Sequence, residues 1–209
     1  KEVDFVSTYI KLADFDVPER IHRIAERVKE RRNLRVHSFS SKIELWRWKG
    51  RIGAAYNKTF VDNWEYYPLT QDEIDFTFND LVLGANPRLI KIVLRGDDIV
   101  GFILGFPDVS QGLQSANGSL FPFGIVHILL DMRRTKWISL NGVGVLPEYQ
   151  GLGGNALMYS EMAKTVKGNF DFVHAELTQV AESAVQMRRD LINLGAKPYK
   201  NHRVYRREV

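Results

Sequence analysis

The sequence of 209 residues contains no cysteine. A disulfide framework, a thiolate zinc site and a cysteine nucleophile are therefore excluded, and the composition fits a reducing compartment such as the cytoplasm. The chain also lacks any apolar run near the roughly 18–20 residues that a membrane span requires, and it lacks a secretory signal. We therefore expect a cytoplasmic protein without a membrane partner.

A strong excess of charge of one sign is also missing. The chain has 29 Lys and Arg against 25 Asp and Glu, a formal charge of +4. Nucleic-acid binding normally requires clustered cations with interleaved aromatics, so we expect no nucleic-acid partner. A mild positive charge is compatible with an anionic cofactor, and with no thiolate available we expect no metal site.

The hydrophobic periodicity predicts an α/β domain. From Leu34 the elements follow the order β–α–α–β–β–(α)–β–α–β–α–β, with capping boxes at Ser41 and Thr70. We interpret residues 110–119 as turn-rich. Residues 1–33 hold a strand and a highly charged helix, whose charges we interpret as a solvated face. A strand and a helix alone bury little surface, so we expect 1–33 to be an extension, the remnant of a preceding domain, and 34–209 to form the domain itself.

The stretch "VLPEYQGLGGNAL", residues 145–157, has three glycines in four positions between a strand and a helix. A P-loop is excluded because the loop has no Lys-Ser/Thr pair. The dinucleotide fingerprint G-x-G-x-x-G/A fits Gly151–Ala156 formally, with Asp171 at the ribose-binding distance. Against it, Pro147–Gln150 separates the strand from the glycines, and few residues follow. A purely structural turn is the third interpretation.

A glycine loop that leads into a helix is suited to holding an anion. Glycine lets the backbone approach a ligand closely, and amides at the start of a helix point at negative charge. Since the loop offers neither a lysine nor a Mg²⁺-binding hydroxyl, these features favour a pyrophosphate that the protein holds without hydrolysing it.

The stretch "VGVLPEYQGLGGNALMYSEM" resembles the acyl-CoA-binding motif of the GNAT superfamily of N-acyltransferases. The family pattern is a strand, then Gln/Arg-x-x-Gly-x-Gly/Ala, then a helix. Gln150 and Gly153 match this pattern, whereas Asn155 stands where the pattern has Gly or Ala. The resemblance covers roughly residues 34–209. It implies a mixed, mostly antiparallel central sheet with helices on both faces.

The resemblance also implies a cofactor site for acetyl-CoA or another acyl-CoA. In the family the strand 137–146 would splay from the strand 172–177, and the pantetheine arm would lie in the gap. Gln150 would orient the turn, and backbone amides of the loop would hold the pyrophosphate. The cofactor-binding residues implied in this way are Val143, Gly144, Val145, Gln150, Gly151, Leu152, Gly153, Gly154, Asn155 and Ala156.

The reaction implied is direct N-acyl transfer to a primary amine of a small molecule or a peptide. His174 and Glu176 alternate onto one face of their strand, and either is a candidate base, although a histidine in this position is more often a structural core or edge residue. The tyrosine that many family members carry on the last helix aligns with Leu191, which cannot donate a proton. Tyr199, Tyr205 and Ser183 are the substitutes.

The sequence says less about the acceptor substrate and about the oligomeric state. Tyr56, Phe60, Trp64, Tyr66 and Tyr67 crowd one segment and form either an acceptor wall or part of the core. A homodimer is compatible with the sequence. Because the usual tyrosine is missing, a non-catalytic acyl-CoA-binding sensor or regulatory module is the alternative to an acyltransferase.

Overall fold

The computed structural model describes residues 1–61 and 63–207, without the side chain of Leu83. Seven strands of this part form one sheet: β1 (Val3–Lys11), β2 (Leu34–Ser38), β3 (Ile90–Arg95), β4 (Asp98–Pro107), β5 (Trp137–Val145), β6 (His174–Ala181) and β7 (Lys197–Val204). Residues 208–209 of the predicted last strand lie outside the described residues.

The sheet has the strand order β2-β3-β4-β5-β6-β1-β7. Every neighbouring pair is antiparallel except β5 and β6, which run parallel. The predicted mixed, mostly antiparallel sheet is therefore confirmed.

Helices cover both faces of the sheet, as predicted. Within the described ranges they are α1 (Glu19–Arg32), α2 (Lys42–Arg47), α3 (Lys49–Phe60), α4 (Gln71–Gly84), α5 (Ser110–Ala116), α6 (Gly124–Arg134), α7 (Gly154–Asn169) and α8 (Val185–Leu194). One core cluster joins α1, α7 and α8 to the sheet, and a second joins α2, α3 and α4 to the opposite face. In residues 1–61 and 63–207, no helix has both the length and the apolar character that crossing a membrane requires.

Local sequence signals account for several elements. Thr70 caps α4 with the full reciprocal capping box, and Ser41 accepts a hydrogen bond from the Glu44 amide at the start of α2. The hairpin of β3 and β4 forms around Gly96, whose φ of 58° suits the tight turn. These elements lie where the sequence predicts them because each depends on residues a few positions apart.

Residues 1–33 are integrated in the sheet and do not form a separate extension. β1 lies between β6 and β7 and is hydrogen-bonded to both. Ala25 and Val28 of α1 are buried in the same core as α7. The sequence could not show this, because the partners of β1 follow it by 163 residues or more (Lys11 to His174).

The segment between β4 and β5 also differs from the prediction. Residues 110–116, expected as turn, form α5. The Asp131 carboxylate on α6 accepts a hydrogen bond from the Gly112 amide at 2.7 Å, and the Asp108 carboxylate accepts one from the Ser110 amide at 2.9 Å. A tertiary contact and a local cap therefore stabilise a helix that intrinsic propensity does not predict.

Candidate functional site

The parallel strands β5 and β6 separate part of the way along their length. Their paired register covers Trp137–Leu140 and His174–Leu177 and, among the described residues, extends no further. Beyond this point Val143, Gly144 and Val145 pair only with β4. We call the point of separation the fork. Beyond the fork, the edge of β5 that faces β6 has no strand partner, so its backbone can take a ligand.

The two glycines of β5 have separate structural roles. The register of β4 against β5 shifts between Ile103 and Gly105, and Gly142 adopts a φ of 119° at this bulge. Gly144 lies against α3, where a Cβ atom would come 2.2 Å from Thr59 Cγ2. A bulge and a close helix approach both require glycine, so the stretch "NGVGV" shapes the strand just beyond the fork.

The glycine loop, residues 150–154, joins β5 to α7. Gln150 Nε2 donates a hydrogen bond to the Val145 carbonyl at 3.3 Å, which ties the loop to the end of the strand. Gly151 and Gly153 take left-handed φ values of 71° and 89°. Gly153 is the N-cap and has no side chain to offer the first amides of α7. The early amides of the helix therefore face the loop without an intrahelical partner, the arrangement that favours an anion.

A cavity of about 950 Å³ lies beside the glycine loop. Its walls include Gly151–Gly153 and four arginines: Arg27, Arg31, Arg32 and Arg95. None of these arginines makes an ion pair with a described residue, and the lining includes no carboxylate. We call this space the arginine cavity. Since guanidinium groups match phosphate geometry, it favours an anionic ligand with more than one phosphate.

Sequence reasoning missed the arginine cavity. The cations of α1 were interpreted as a solvated face, and only the fold brings the end of α1 against the loop. Val28 and Ile24 lie within 3 Å of the position that a Cβ atom of Gly153 would take. Cations are common at the end of a helix because they interact favourably with the helix dipole. The positions of Arg31 and Arg32 in the sequence therefore did not indicate a ligand site.

Asn155, the residue that departs from the family pattern, bridges α7 to α8. Its Nδ2 donates a hydrogen bond to Asp190 Oδ2 at 2.6 Å, and Gln186 donates to the other carboxylate oxygen at 2.9 Å. The asparagine side chain is thus held by α8 and is turned away from the loop. Because asparagine is larger than Gly or Ala and carries an amide, it can make this contact between α7 and α8.

Three of the five predicted proton-transfer residues come together on the sheet. His174 stacks on Trp137 with ring centres 4.3 Å apart, and Tyr9 lies between the rings of His174 and Tyr199 at 5.7 and 5.8 Å. The Glu176 carboxylate, 13% exposed, pairs with Lys200 Nζ at 3.3 Å. We call His174, Glu176 and Tyr199 the β6–β7 cluster.

The polar groups of the β6–β7 cluster differ in their surroundings. His174 Nδ1 is buried and has no hydrogen-bond partner among the described residues. Burial raises the pKa of the Tyr199 hydroxyl, and its hydrogen bond with Glu176 raises it further. The Tyr199 hydroxyl is therefore protonated at neutral pH.

The other candidates lie elsewhere. Tyr205 follows the end of β7 and is 72% exposed, outside the β6–β7 cluster. Leu191 is fully buried in the core, as its apolar character predicts.

Most of the aromatic segment is structural. Tyr56 and Phe60 pack against Phe102 beneath α3, which supports the core interpretation for these two side chains. Tyr66 donates a hydrogen bond to Asn57 at 2.6 Å. Trp64 meets Phe5 edge to face at 5.9 Å, and Tyr67 is exposed.

Comparison with known proteins gives distant relatives by sequence. No family model matches the chain. It is 23% identical to Protein YghO of Escherichia coli strain K12, over all of this chain and 54% of that protein. It is also 23% identical to the bacterial ceramide synthase of Caulobacter vibrioides, over 73% of this chain and 41% of that protein. The chain thus spans about half the length of the curated relatives it matches.

Solved structures share the architecture. A GCN5-related N-acetyltransferase from Sphaerobacter thermophilus superposes with a TM-score of 0.59 at 15% identity, over 95% of this chain and 49% of that one. A GCN5-related glucosamine N-acetyltransferase region of a fungal β-N-acetylglucosaminidase gives 0.56 at 14% identity, over 97% and 20%. With its forked parallel pair and its glycine loop, the chain therefore has the fold of the GCN5-related N-acetyltransferases.

Proposed function

We propose that the protein is an acyl-CoA-dependent N-acyltransferase, which moves an acyl group from acetyl-CoA or another acyl-CoA directly to a primary amine. The observation that carries the proposal is the fork between β5 and β6, which opens beside the glycine loop and the uncapped start of α7. A strand edge without a partner and a turn of free amides provide backbone donors and acceptors for an extended ligand that ends in phosphates.

The residues present fit such a donor. We assign the amides of Gly151–Asn155 to the pyrophosphate, and the backbone of Val143–Val145 to the pantetheine arm. The four cations of the arginine cavity lie next to the loop and are free to neutralise phosphate charge. When bound, the donor supplies an activated thioester, and the chain positions it against the amine. Such positioning contributes about 7–11 kcal/mol to lowering a barrier.

We assign the proton transfers to the β6–β7 cluster. Glu176 is the register partner of Ser139, next to the last pair before the fork, and we assign it as the base that accepts the proton of the acceptor ammonium, with His174 as the alternative base. As the C–N bond forms and the C–S bond breaks, the Tyr199 hydroxyl donates a proton to the leaving thiolate, and the proton that the nitrogen loses on becoming an amide restores this hydroxyl. The Val143 amide is our assignment for the carbonyl oxygen, a contact worth about 3–4 kcal/mol in comparable sites.

The proposed acceptor is a primary amine, and the proposal does not restrict it to one class of amine. One relative is named as a ceramide synthase. Because ceramides are N-acylated long-chain amino alcohols, such amino alcohols belong in a test panel beside polyamines, aminoglycosides, amino acids and peptides. A non-catalytic acyl-CoA-binding module is the second candidate, favoured by the buried Leu191 at the position of the missing tyrosine.

Calorimetric titration with CoA, combined with a free-thiol assay over this panel, tests the proposal. We expect CoA to bind and at least one amine to release thiol from an acyl-CoA. The Arg31→Gln/Arg32→Gln variant should weaken CoA binding at least tenfold, because two unpaired cations of the arginine cavity are removed. The Arg133→Gln/Arg134→Gln variant removes the same charge on α6 and serves as the matched control. Absence of CoA binding would refute both candidate functions, and binding without turnover would favour the module.

Two tyrosines on β7 and just after it give a matched pair for the proton donor. We expect Tyr199→Phe to lower the thiol-release rate about 10²-fold, the usual contribution of a general acid, with little change in CoA affinity. Tyr205→Phe removes the same hydroxyl from an exposed site and should leave the rate within about twofold of the wild type. Equal effects of the two changes would contradict the assignment of Tyr199.

A further inference from the structure

The connection from β4 to β5 is a helical hairpin with a long uncharged stretch. Residues 109–130 contain no Asp, Glu, Lys or Arg, in a chain of which 26% of residues are charged. This segment forms α5, a loop, and most of α6. We call residues 110–134 the α5–α6 hairpin. Uncharged runs of this length are typical of protein interiors and not of projecting surface elements.

Small residues hold the two helices together, so the large ones point outward. A Cβ atom on Gly112 would lie 2.8 Å from the Ile128 Cα atom, and one on Gly124 would meet the Ser119 carbonyl. Ala116 is buried at the same contact. With the inner faces closed at this short distance, most of the remaining large apolar side chains of the hairpin face solvent.

The exposed apolar surface is concentrated at the loop and along α6. Phe121 and Phe123 in the loop are 79% and 69% exposed, and Leu120 beside them is 53% exposed. On α6, Val126 and Leu129 are 46% and 51% exposed and share one side of the helix. A cluster of large exposed apolar side chains of this kind marks an interaction site.

Cations collect at the base of the hairpin. Arg133 and Arg134 in the last turn of α6, and Lys136 just after it, are exposed. None of the three forms an ion pair with a residue in the described ranges. The two acids of this region accept hydrogen bonds from backbone amides of the hairpin: the Asp131 carboxylate from Gly112 and the Asp108 carboxylate from Ser110. The element therefore has an apolar tip and a positive base.

We propose that the α5–α6 hairpin docks on the surface of an anionic phospholipid bilayer, with its aromatic loop among the acyl chains and its cations at the headgroups. The charge pattern of the hairpin favours lipid. In an anionic bilayer the hydrocarbon lies beneath negatively charged headgroups, so the apolar tip can enter the hydrocarbon while the positive base contacts the headgroups. α6 is about 16 Å long at 1.5 Å per residue. It is too short to span a hydrocarbon core of about 30 Å, so the contact is interfacial.

The absence of a spanning run, from which the sequence predicts no membrane partner, does not exclude a surface contact. Interfacial binding depends on an exposed apolar face flanked by cations, and such a face needs no long apolar run. The proposal uses none of the residues assigned to the donor site, so it stands independently of the proposed function.

Flotation with lipid vesicles tests the proposal. We expect the protein to float with vesicles of equal parts phosphatidylcholine and phosphatidylglycerol, and to float at least tenfold less with phosphatidylcholine alone. Phe121→Glu/Phe123→Glu should abolish flotation. The control is Phe76→Glu, which places the same charge at a phenylalanine 72% exposed on α4 and should float like the wild type. Because all three side chains are exposed, circular dichroism should report an unchanged fold.

Two further measurements separate the alternatives. Arg133→Gln/Arg134→Gln should reduce flotation with the anionic vesicles several-fold and leave the weak binding to neutral vesicles unchanged. Absence of wild-type flotation, or an equal loss with Phe76→Glu, would overturn the proposal. So would a wild-type dimer in sedimentation that Phe121→Glu/Phe123→Glu converts to a monomer without any vesicle binding, since the hairpin would then be an interface between copies.

Discussion

Gly153 is the residue at which the glycine loop meets the N-terminal helix. Its φ of 89° lies in the left-handed region, and a Cβ atom there would come 2.6 Å from Val28 Cγ2. Gly154 follows at the start of α7 with ordinary helical geometry, and a Cβ atom there would be 3.5 Å from its nearest neighbour, Val145. Two adjacent glycines therefore differ sharply in what they tolerate.

We predict that Gly153→Ala lowers the free energy of unfolding by about 2–4 kcal/mol. About 1–2 kcal/mol comes from the left-handed backbone, and the rest comes from overpacking against α1. Gly154→Ala should change it by less than about 1 kcal/mol, since alanine favours the helix. Urea denaturation monitored by circular dichroism measures both. Equal stabilities for the two variants would show that α1 does not pack on the loop as described.

At the scale of elements, one ion pair joins β1 to β7. The Asp4 carboxylate accepts hydrogen bonds from Arg203 Nε and Nη2 at 2.8 and 3.0 Å, and the two residues are register partners. The Arg203 guanidinium holds the pKa of the Asp4 carboxyl well below its usual range, and Lys1 contributes in the same direction. The pair therefore links folding stability to pH.

We predict that Asp4→Asn destabilises the protein at neutral pH and that this difference disappears in acid. Because the folded-state pKa is depressed, the carboxylate stabilises the fold fully above the unfolded pKa of about 4. That contribution is lost as the pH falls through the folded value. Urea denaturation at pH 7 and at successively lower pH measures the difference. Asp97→Asn, at a fully exposed aspartate in the hairpin turn, should have little effect at either pH.

At the scale of the whole molecule, the sheet depends on its first strand. β1 supplies hydrogen-bond partners to both β6 and β7. Val3 and Ile10 on β1 are buried. Without β1, the strand that carries His174 and Glu176 would lose a neighbour along its length, and β7 would lose its connection to the sheet.

We predict that deletion of residues 1–12 abolishes cooperative unfolding. A buried strand with two partners contributes hydrogen bonds and apolar burial that the remaining chain cannot replace. Urea titration followed by tryptophan fluorescence measures the cooperativity. A deletion variant that unfolds in one sharp transition would contradict the integration of residues 1–33 and support the extension expected from sequence.

Local sequence patterns are sufficient to predict the features that depend on neighbouring residues. The Thr70 cap and the helix after the glycine loop follow from local spacing. The mixed sheet and its forked pair of strands were predicted from the resemblance of the glycine loop and its flanking elements to the GNAT superfamily. Local backbone preferences and short-range hydrogen bonds act whatever the rest of the chain does, so they can be read in order along it.

Only the tertiary structure decided which distant residues meet. It placed β1 between β6 and β7, brought the arginines of α1 to the glycine loop, and joined Asn155 to Asp190. It also gathered Tyr9, His174 and Tyr199 from three strands and excluded Tyr205. Such contacts are set by how whole elements bury their apolar faces against one another. This packing depends on the whole chain, so no single position in the sequence predicts which distant residues come into contact.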